Sequence, residues 1–244
     1  MSEPTYTSEF YLAAGDATAQ GRMPLGLVFD RCIEVATDHA NALGVGYDDM
    51  ILHGQSWVLS RVAIEMRRYP EINERYSVTT WVEKVSRAFS MRNFAIRAEN
   101  GETIGYGRST WVAIDVEKRT LGDISRYTQL EEISRELPCP IEPVGRHRAV
   151  AEPTLESDYR FQYSDIDSNR HVNTVRYVEL LLNSWPLEFF DRHEVSRVEV
   201  SFMKESYFGE EARVVLAAGE GETEADIVVD GSARVHFTLR FRDI

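Results

Sequence analysis

The sequence predicts an α+β fold in which one unit, a long helix followed by an antiparallel sheet, occurs twice. Three observations support this prediction. Two stretches with the same strand patterns lie 136 positions apart, each half contains an apolar segment with helical periodicity, and each half contains a hairpin dipeptide, Asn100-Gly101 or Asp230-Gly231. A sheet that follows an apolar helix can cover one face of that helix, so each half contains the parts of its own core.

Both halves begin with the pattern of a long helix. In the first half the helix is expected to start at Met23, because Pro24 suits a first helical position and Gly44 suits an end. In the second half the expected start is His171, and Pro186 interrupts the pattern. Between these two residues the apolar side chains recur at spacings of three and four, at Val175, Val178, Leu182 and Trp185.

The strands of the two halves keep one register. Ser60-Arg61-Val62 opens a strand in the first half, and Ser196-Arg197-Val198 opens another in the second. The same offset brings Glu74 to Glu210 and aligns the alternating strands that follow them. Farther along, each hairpin dipeptide is flanked by strand-like runs, at 94–98 and 103–114 in the first half and at 226–229 and 233–241 in the second.

A segment rich in proline separates the halves. Residues 129–137 resemble a short amphipathic helix, and residues 138–153 read PCPIEPVGRHRAVAEP. We therefore divide the chain into a first domain at 1–127, a linker at 128–154 and a second domain at 155–244.

The charge, hydropathy and cysteine content of the sequence exclude several classes of protein. A formal net charge of −13 argues against general affinity for nucleic acid, and no window of the sequence is apolar enough to span a membrane. Cys32 and Cys139 are too isolated for a disulfide framework, and the first ten residues lack the features of a targeting segment. We expect a soluble, cytoplasmic protein.

One short run contains the groups needed to hydrolyse an acyl bond. Residues 165–177 read DIDSNRHVNTVRY, which places Asp167, Asn169 and His171 at alternate positions. In an extended segment these three side chains share one side, and the helix that follows offers the backbone N–H groups of Val172 and Asn173 to a developing oxyanion.

This run resembles the signature of the acyl-acyl carrier protein (acyl-ACP) thioesterases of bacteria and plants, approximately Asp-Leu-Asp-x-Asn-x-His-Val-Asn-Asn-x-x-Tyr. The matching residues are Asp165, Ile166, Asp167, Asn169, His171, Val172, Asn173 and Tyr177, with Thr174 where the family usually has a second Asn. The resemblance covers nearly the whole chain. It implies two tandem hotdog units, the first shaping an acyl tunnel and the second carrying the catalytic residues.

The resemblance also selects Glu205 and Ser206, in the strand after the second helix, where the family has Glu followed by Cys or another small residue. Because Ser206 stands at that second position, an obligatory thiol nucleophile is implausible. Glu205 is our first choice for the general base that takes a proton from water, and Asp167 is its rival. His171 would orient water or protonate the leaving thiolate, and Asn169 would position the carbonyl or the water.

The first half lacks this polar set, because Gly21 and Met23 stand where we align Asn169 and His171. One active site per chain is therefore expected. The sequence contains no Gly-x-Ser-x-Gly elbow, no dinucleotide fingerprint and no metal-ligand spacing, so we expect neither cofactor nor metal.

The resemblance implies a hydrolase that releases fatty acid from acyl carrier protein, and this carrier is the expected partner. Arg176, one turn into the second helix, is the preferred docking residue for the acidic carrier. A hotdog thioesterase acting on acyl-CoA and a non-catalytic acyl-binding module are the alternatives, and a homodimer is left open.

Overall fold

A computed structural model describes residues 3–135, 137–219 and 221–244. The chain forms two compact units. One contains Asp30–Pro143 with the chain before it up to Met23, and the other contains Val144–Ile244 together with Pro24–Phe29.

The first unit contains one long helix and an antiparallel sheet. Its elements are β1 (Thr5–Tyr11), α1 (Leu25–Ala42, whose first residues, up to Phe29, belong to the second unit), α2 (Tyr47–Leu52), β2 (Gln55–Met66), β3 (Arg75–Val85), β4 (Phe89–Ala98), β5 (Thr103–Asp115), β6 (Thr120–Leu121) and α3 (Thr128–Ile133). The strand order is β1-β3-β4-β5-β2, with the short β6 paired to β5.

The second unit repeats this plan with a shorter helix. Its elements are β7 (Leu155–Arg160), α4 (Thr174–Leu182), α5 (Leu187–Phe190), β8 (His193–Phe202), β9 (Glu211–Ala218), β10 (Thr223–Val229) and β11 (Ser232–Asp243). The strand order is β8-β11-β10-β9-β7, and all pairs are antiparallel. The predicted α+β class is confirmed.

Both predicted hairpins are present. Gly101 has a φ of 86° between β4 and β5, and Asp230 and Gly231 have φ values of 49° and 73° between β10 and β11. Two consecutive residues with positive φ are typical of the hairpin turn whose twist matches that of the flanking strands, which explains the Asp-Gly pair.

The second helix begins later than predicted. It starts at Thr174 rather than at His171, because the side chain of Asn173 accepts a hydrogen bond from the N–H of Val175 at 2.8 Å and caps the helix. His171 is therefore held by a loop.

The first part of the predicted linker packs into the first unit. Leu130 and Ile133 of α3 are buried against Val82 and Ala113 of the sheet. The indole of Trp81 also donates to the carbonyl of Leu137 at 2.9 Å. Residues 144–154 remain as the segment that leads into β7.

The first unit buries an unusual pair of polar side chains. His39 on α1 and Arg92 on β4 are 1% and 5% exposed, and Arg92 Nη1 lies 2.9 Å from His39 Nδ1. Because arginine can only donate, Nδ1 is the unprotonated nitrogen, and Nε2–H donates to the carbonyl of Glu3 at 3.1 Å.

Among the described helices, none combines the length and the apolar character that crossing a membrane would require.

Candidate active site

The motif between β7 and α4 folds into a tight loop. Ile166 and Val172 form an antiparallel bridge. Inside it, Asp167 donates its N–H to the carbonyl of His171 at 2.8 Å, and Arg170 donates to the carbonyl of Asp167 at 3.0 Å. Arg170 has a φ of 65°, so the chain reverses direction here. The prediction of an extended segment with three side chains on one side is therefore wrong.

Asp167 holds the loop with its side chain. Its Oδ1 accepts the N–H of Asn169 at 2.8 Å and the N–H of His171 at 3.2 Å. Its other oxygen, Oδ2, makes no hydrogen bond within the described residues. The carboxylate of Asp165 is buried and accepts the Tyr159 hydroxyl at 2.9 Å, as expected of a structural residue.

The loop brings His171 to Glu205. His171 Nδ1 lies 3.5 Å from Glu205 Oε1, and both side chains are about one quarter exposed. Tyr207 completes the group, because its hydroxyl donates to Glu205 Oε2 at 3.0 Å and its ring stands edge-on to His171 with centroids 5.2 Å apart. Tyr207 was missed in the sequence because it lies outside the motif.

A main-chain hydrogen bond fixes this approach. Val172 donates its N–H to the carbonyl of Ser206 at 2.9 Å, and Asn173 donates its N–H to the carbonyl of Asp165 at 2.8 Å. Both N–H groups are therefore occupied. The prediction that Val172 and Asn173 offer free N–H groups to an oxyanion is wrong, whereas the N–H of Thr174 makes no hydrogen bond among the described residues.

Two other predicted residues lie at the surface. Asn169 is exposed in the loop, and its side chain makes no hydrogen bond in the described part of the chain. Arg176 is exposed on α4 and forms an ion pair with Glu179 one turn later, so its charge is partly neutralised. The carrier-docking role of Arg176 stays a prediction.

Polar side chains lie buried beneath the group. Ser206 is fully buried, and neither its hydroxyl nor that of Tyr177 has a hydrogen-bond partner of good geometry among the described residues. Burial raises the pKa of Tyr177 to about 12, although Ser206 acts in the opposite direction. Neither hydroxyl is activated as a nucleophile, because no base among the described residues forms a hydrogen bond with it.

The first unit contains a loop with the same backbone hydrogen bonds but without side chains that correspond to His171 and Glu205. Thr18 donates its N–H to the carbonyl of Arg22 at 2.8 Å, and Gly21 donates to the carbonyl of Thr18 at 2.9 Å. Gly21 has a φ of 75°, like Arg170 in the second loop. Met23 donates to the carbonyl of Pro70 at 2.9 Å, as Val172 does to that of Ser206.

These hydrogen bonds correct our alignment of the two halves by one residue. Gly21 corresponds to Arg170 rather than to Asn169, so Gln20 and Arg22 stand at the positions of Asn169 and His171. Tyr69 stands at the position of Glu205, because Pro70 matches Ser206. The first loop has neither the imidazole nor the carboxylate.

Two family models together match most of the chain. The acyl-ACP thioesterase N-terminal domain matches residues 3–129, and the acyl-ACP thioesterase C-terminal domain matches residues 149–241.

Solved structures share the fold. An acyl-ACP thioesterase from Bacteroides thetaiotaomicron is 33% identical, with a TM-score of 0.91 and 98% of each chain covered. A 12:0-ACP thioesterase from Umbellularia californica is 17% identical, with a TM-score of 0.89 and 100% of this chain and 99% of that chain covered. These likenesses confirm the predicted hotdog-type architecture.

Among curated proteins, oleoyl-acyl carrier protein thioesterase 1 of Arabidopsis thaliana is 25% identical over 82% of this chain and 60% of its own length. The chain thus spans about three fifths of that relative. The family models and the Bacteroides structure together show that the chain belongs to the acyl-ACP thioesterase family.

Proposed function

We propose that this protein hydrolyses fatty acyl-ACP to free fatty acid and carrier protein. The observation that carries the proposal is the pairing of His171 with Glu205, 3.5 Å apart in a partly exposed group. A carboxylate beside an imidazole can take a proton and return one without a metal or cofactor. The relatives whose names include acyl-ACP thioesterase support the substrate class.

In the proposed reaction, water attacks the thioester carbonyl while Glu205 takes its proton. The C–S bond then breaks, and the protonated His171 gives its proton to the departing thiolate of the phosphopantetheine arm. The proton on Glu205 then returns to His171, which restores both groups. Tyr207 orients the Glu205 carboxylate through its hydroxyl, at 3.0 Å. The exposed amide of Asn169 and the free N–H of Thr174 are the donors that we propose for the oxyanion.

Asp167 stays the second candidate for the base. Its Oδ1 accepts the N–H groups of Asn169 and His171, so this oxygen is not available to take a proton from water. Its free Oδ2 can still accept a hydrogen bond from water. We therefore assign proton removal to Glu205 and orientation of the loop and the water to Asp167.

Carrier docking is a separate part of the proposal. Arg170 and Lys204 are exposed next to His171 and Glu205, and neither forms an ion pair within the described residues. Free cations at the entrance would attract an acidic carrier more strongly than Arg176, which Glu179 partly neutralises. For the first unit, which lacks the polar set, we propose a role in acyl-chain selection.

The test replaces Glu205 by Gln and measures thiol release from acyl-ACP. We expect turnover to fall about 10²-fold or more, the usual effect of removing an acid–base group. Glu211→Gln is the matched control, because Glu211 lies at the start of β9 and its carboxylate forms an exposed ion pair with Arg160. Equal rates for the two variants, with intact circular dichroism, would contradict the proposal.

Acyl-CoA and acyl-pantetheine are assayed in parallel with acyl-ACP. A higher kcat/KM for acyl-CoA than for acyl-ACP would make the protein an acyl-CoA thioesterase. Binding of acyl thioester without release of thiol would make it an acyl-binding module.

A further inference from the structure

A second group of chemically active side chains lies on the face of the second sheet that points away from its apolar core. His236 of β11 and Asp226 of β10 are 4% and 3% exposed, while their neighbours along the strands, such as Phe237 and Ile227, point into the core. His147, from the segment before β7, stacks edge-on against His236 with ring centroids 3.9 Å apart.

The ligand atoms of this group converge. One atom each from His147, Asp226 and His236 lie within 4.8 Å of one another. His236 Nδ1 is 2.8 Å from Asp226 Oδ1, and its Nε2 is 2.7 Å from Glu224 Oε2. His147 Nδ1 is buried and makes no hydrogen bond with any described residue.

We propose that His147, Asp226 and His236 form a zinc site. Two imidazole nitrogens and one carboxylate oxygen are ligands that Zn²⁺ prefers, and a buried imidazole nitrogen without a partner is costly unless something binds it. Ligand atoms of tetrahedral zinc lie about 3.4 Å apart. His147 closes the triangle by a small rotation, because it belongs to a connecting segment rather than to a strand.

Residues next to the three proposed ligands are placed to orient them. Zinc-binding histidines usually have their second nitrogen held by a carboxylate. Glu224 Oε2 lies 2.7 Å from the second nitrogen of His236, which makes no hydrogen bond of good geometry with any described residue. The other oxygen of Asp226 accepts the N–H of Val150 at 3.0 Å, which fixes the carboxylate. A cavity of about 140 Å³, lined in part by His147, Glu224 and His236, leaves space for a fourth ligand from solvent.

The site would fasten the connecting segment to the sheet. Two carboxylates already accept its N–H groups, Asp226 from Val150 and Glu199 from Gly145, the latter at 2.6 Å. A metal held by His147 from the segment and by two strand residues would add a third and stronger attachment. Its role is therefore structural, and it is separate from the His171–Glu205 group.

The test uses the full chain, stripped with a chelator and titrated with Zn²⁺ alone. We expect one equivalent to bind and the melting temperature to rise with Zn²⁺ concentration, because zinc would bind the native state only. Substitution of Co²⁺ should give the visible absorption of a four-coordinate site. His147→Ala should weaken binding about 100-fold or more, since loss of even an outer partner typically costs 10–100-fold.

His193→Ala is the matched control, because His193 faces a carboxylate, Asp243 at 3.5 Å, and the two belong to no metal-ligand group among the described residues. This variant should bind zinc like the parent. The proposal is overturned if the parent shows no saturable binding at one equivalent, or if His147→Ala binds as tightly as the parent. His147 lies outside the strands, so its loss leaves both sheets able to fold.

Discussion

Thr18 and Asp167 occupy the same position in two copies of one loop. Each donates its N–H to the carbonyl four residues later at 2.8 Å, and each accepts the N–H of that later residue on a side-chain oxygen, at 3.4 Å for Thr18 and 3.2 Å for Asp167. A hydroxyl is therefore sufficient to hold the loop, and the negative charge of Asp167 is not required for this structural role.

The first prediction uses this equivalence to separate the structural from the chemical role of Asp167. Asp167→Thr should keep the melting temperature close to that of the parent but lower turnover about 10²-fold, because the acceptor that orients water is lost. Asp167→Ala should lose stability as well. Calorimetry and a thiol-release assay measure the two effects, and a fully active Thr variant would limit Asp167 to holding the loop.

A second prediction concerns the cysteines. Burial raises the pKa of the Cys32 thiol to about 12 and also raises that of Cys139. Because the thiolate is the nucleophile, neither residue can attack a thioester at neutral pH. A Cys32→Ala, Cys139→Ala double variant should hydrolyse acyl-ACP at nearly the parental rate. Loss of activity in a folded double variant would point to a thiol mechanism.

The third prediction is a pH dependence of stability that originates at His39. Burial, together with the charge of Arg92, lowers the pKa of His39 from 6.5 to about 4. The unfolded chain binds this proton below about pH 6.5, whereas the folded chain does not until about pH 4. The stabilisation is therefore complete above about pH 6.5 and decreases as the pH falls towards 4, by about 3 kcal/mol in total.

Urea unfolding at several pH values measures this loss. His39→Gln removes the titrating group, so its free energy of unfolding should change less between pH 7 and pH 4.5 than that of the parent. The carboxylates titrate in both proteins and cancel in the comparison. An identical pH dependence in the two proteins would show that His39 is not responsible.

The fourth prediction ranks the cations near the candidate active site. Lys204→Glu should raise KM for acyl-ACP several-fold, and added salt should reduce the difference from the parent, because the effect is electrostatic. Arg176→Glu should have a smaller effect, since Glu179 already pairs with Arg176. KM for acyl-pantetheine should be nearly unchanged in both variants. A larger effect at Arg176 would identify Arg176 as the main docking residue, as the sequence predicts.

The elements of the fold could be predicted because their signals are local. Helical spacing in 175–185 and the turn dipeptide Asp230-Gly231 act on neighbouring residues, so they can be read without a structure. The start of α4 could not be placed in this way. The sequence is compatible with Asn173 either inside the helix or as its N-terminal cap. The hydrogen bond that its side chain accepts from the N–H of Val175 shows that it is the cap.

The arrangement of the site depends on contacts between distant segments. The motif identified His171, and the resemblance identified Glu205, but the hydrogen bond from Val172 to Ser206 determines how they meet. That same bond occupies the N–H of Val172, which the motif alone assigns to the oxyanion. The grouping of His147 with Asp226 and His236 could not be predicted from a metal-ligand spacing in the sequence, because about 80 residues separate the first ligand from the second.

The left-handed backbone conformation of Arg170 lowers the stability of the folded chain, whereas its side chain is a candidate contact for the carrier protein. A residue other than glycine raises the free energy of the folded chain by roughly 1–2 kcal/mol in this conformation. The loop of the first unit has Gly21 at this position and avoids that cost. The loop of the second unit retains a guanidinium there in spite of the strain. We expect Arg170→Gly to raise the melting temperature and to slow encounter with acyl-ACP, so a gain in stability at this position would weaken recognition of the carrier.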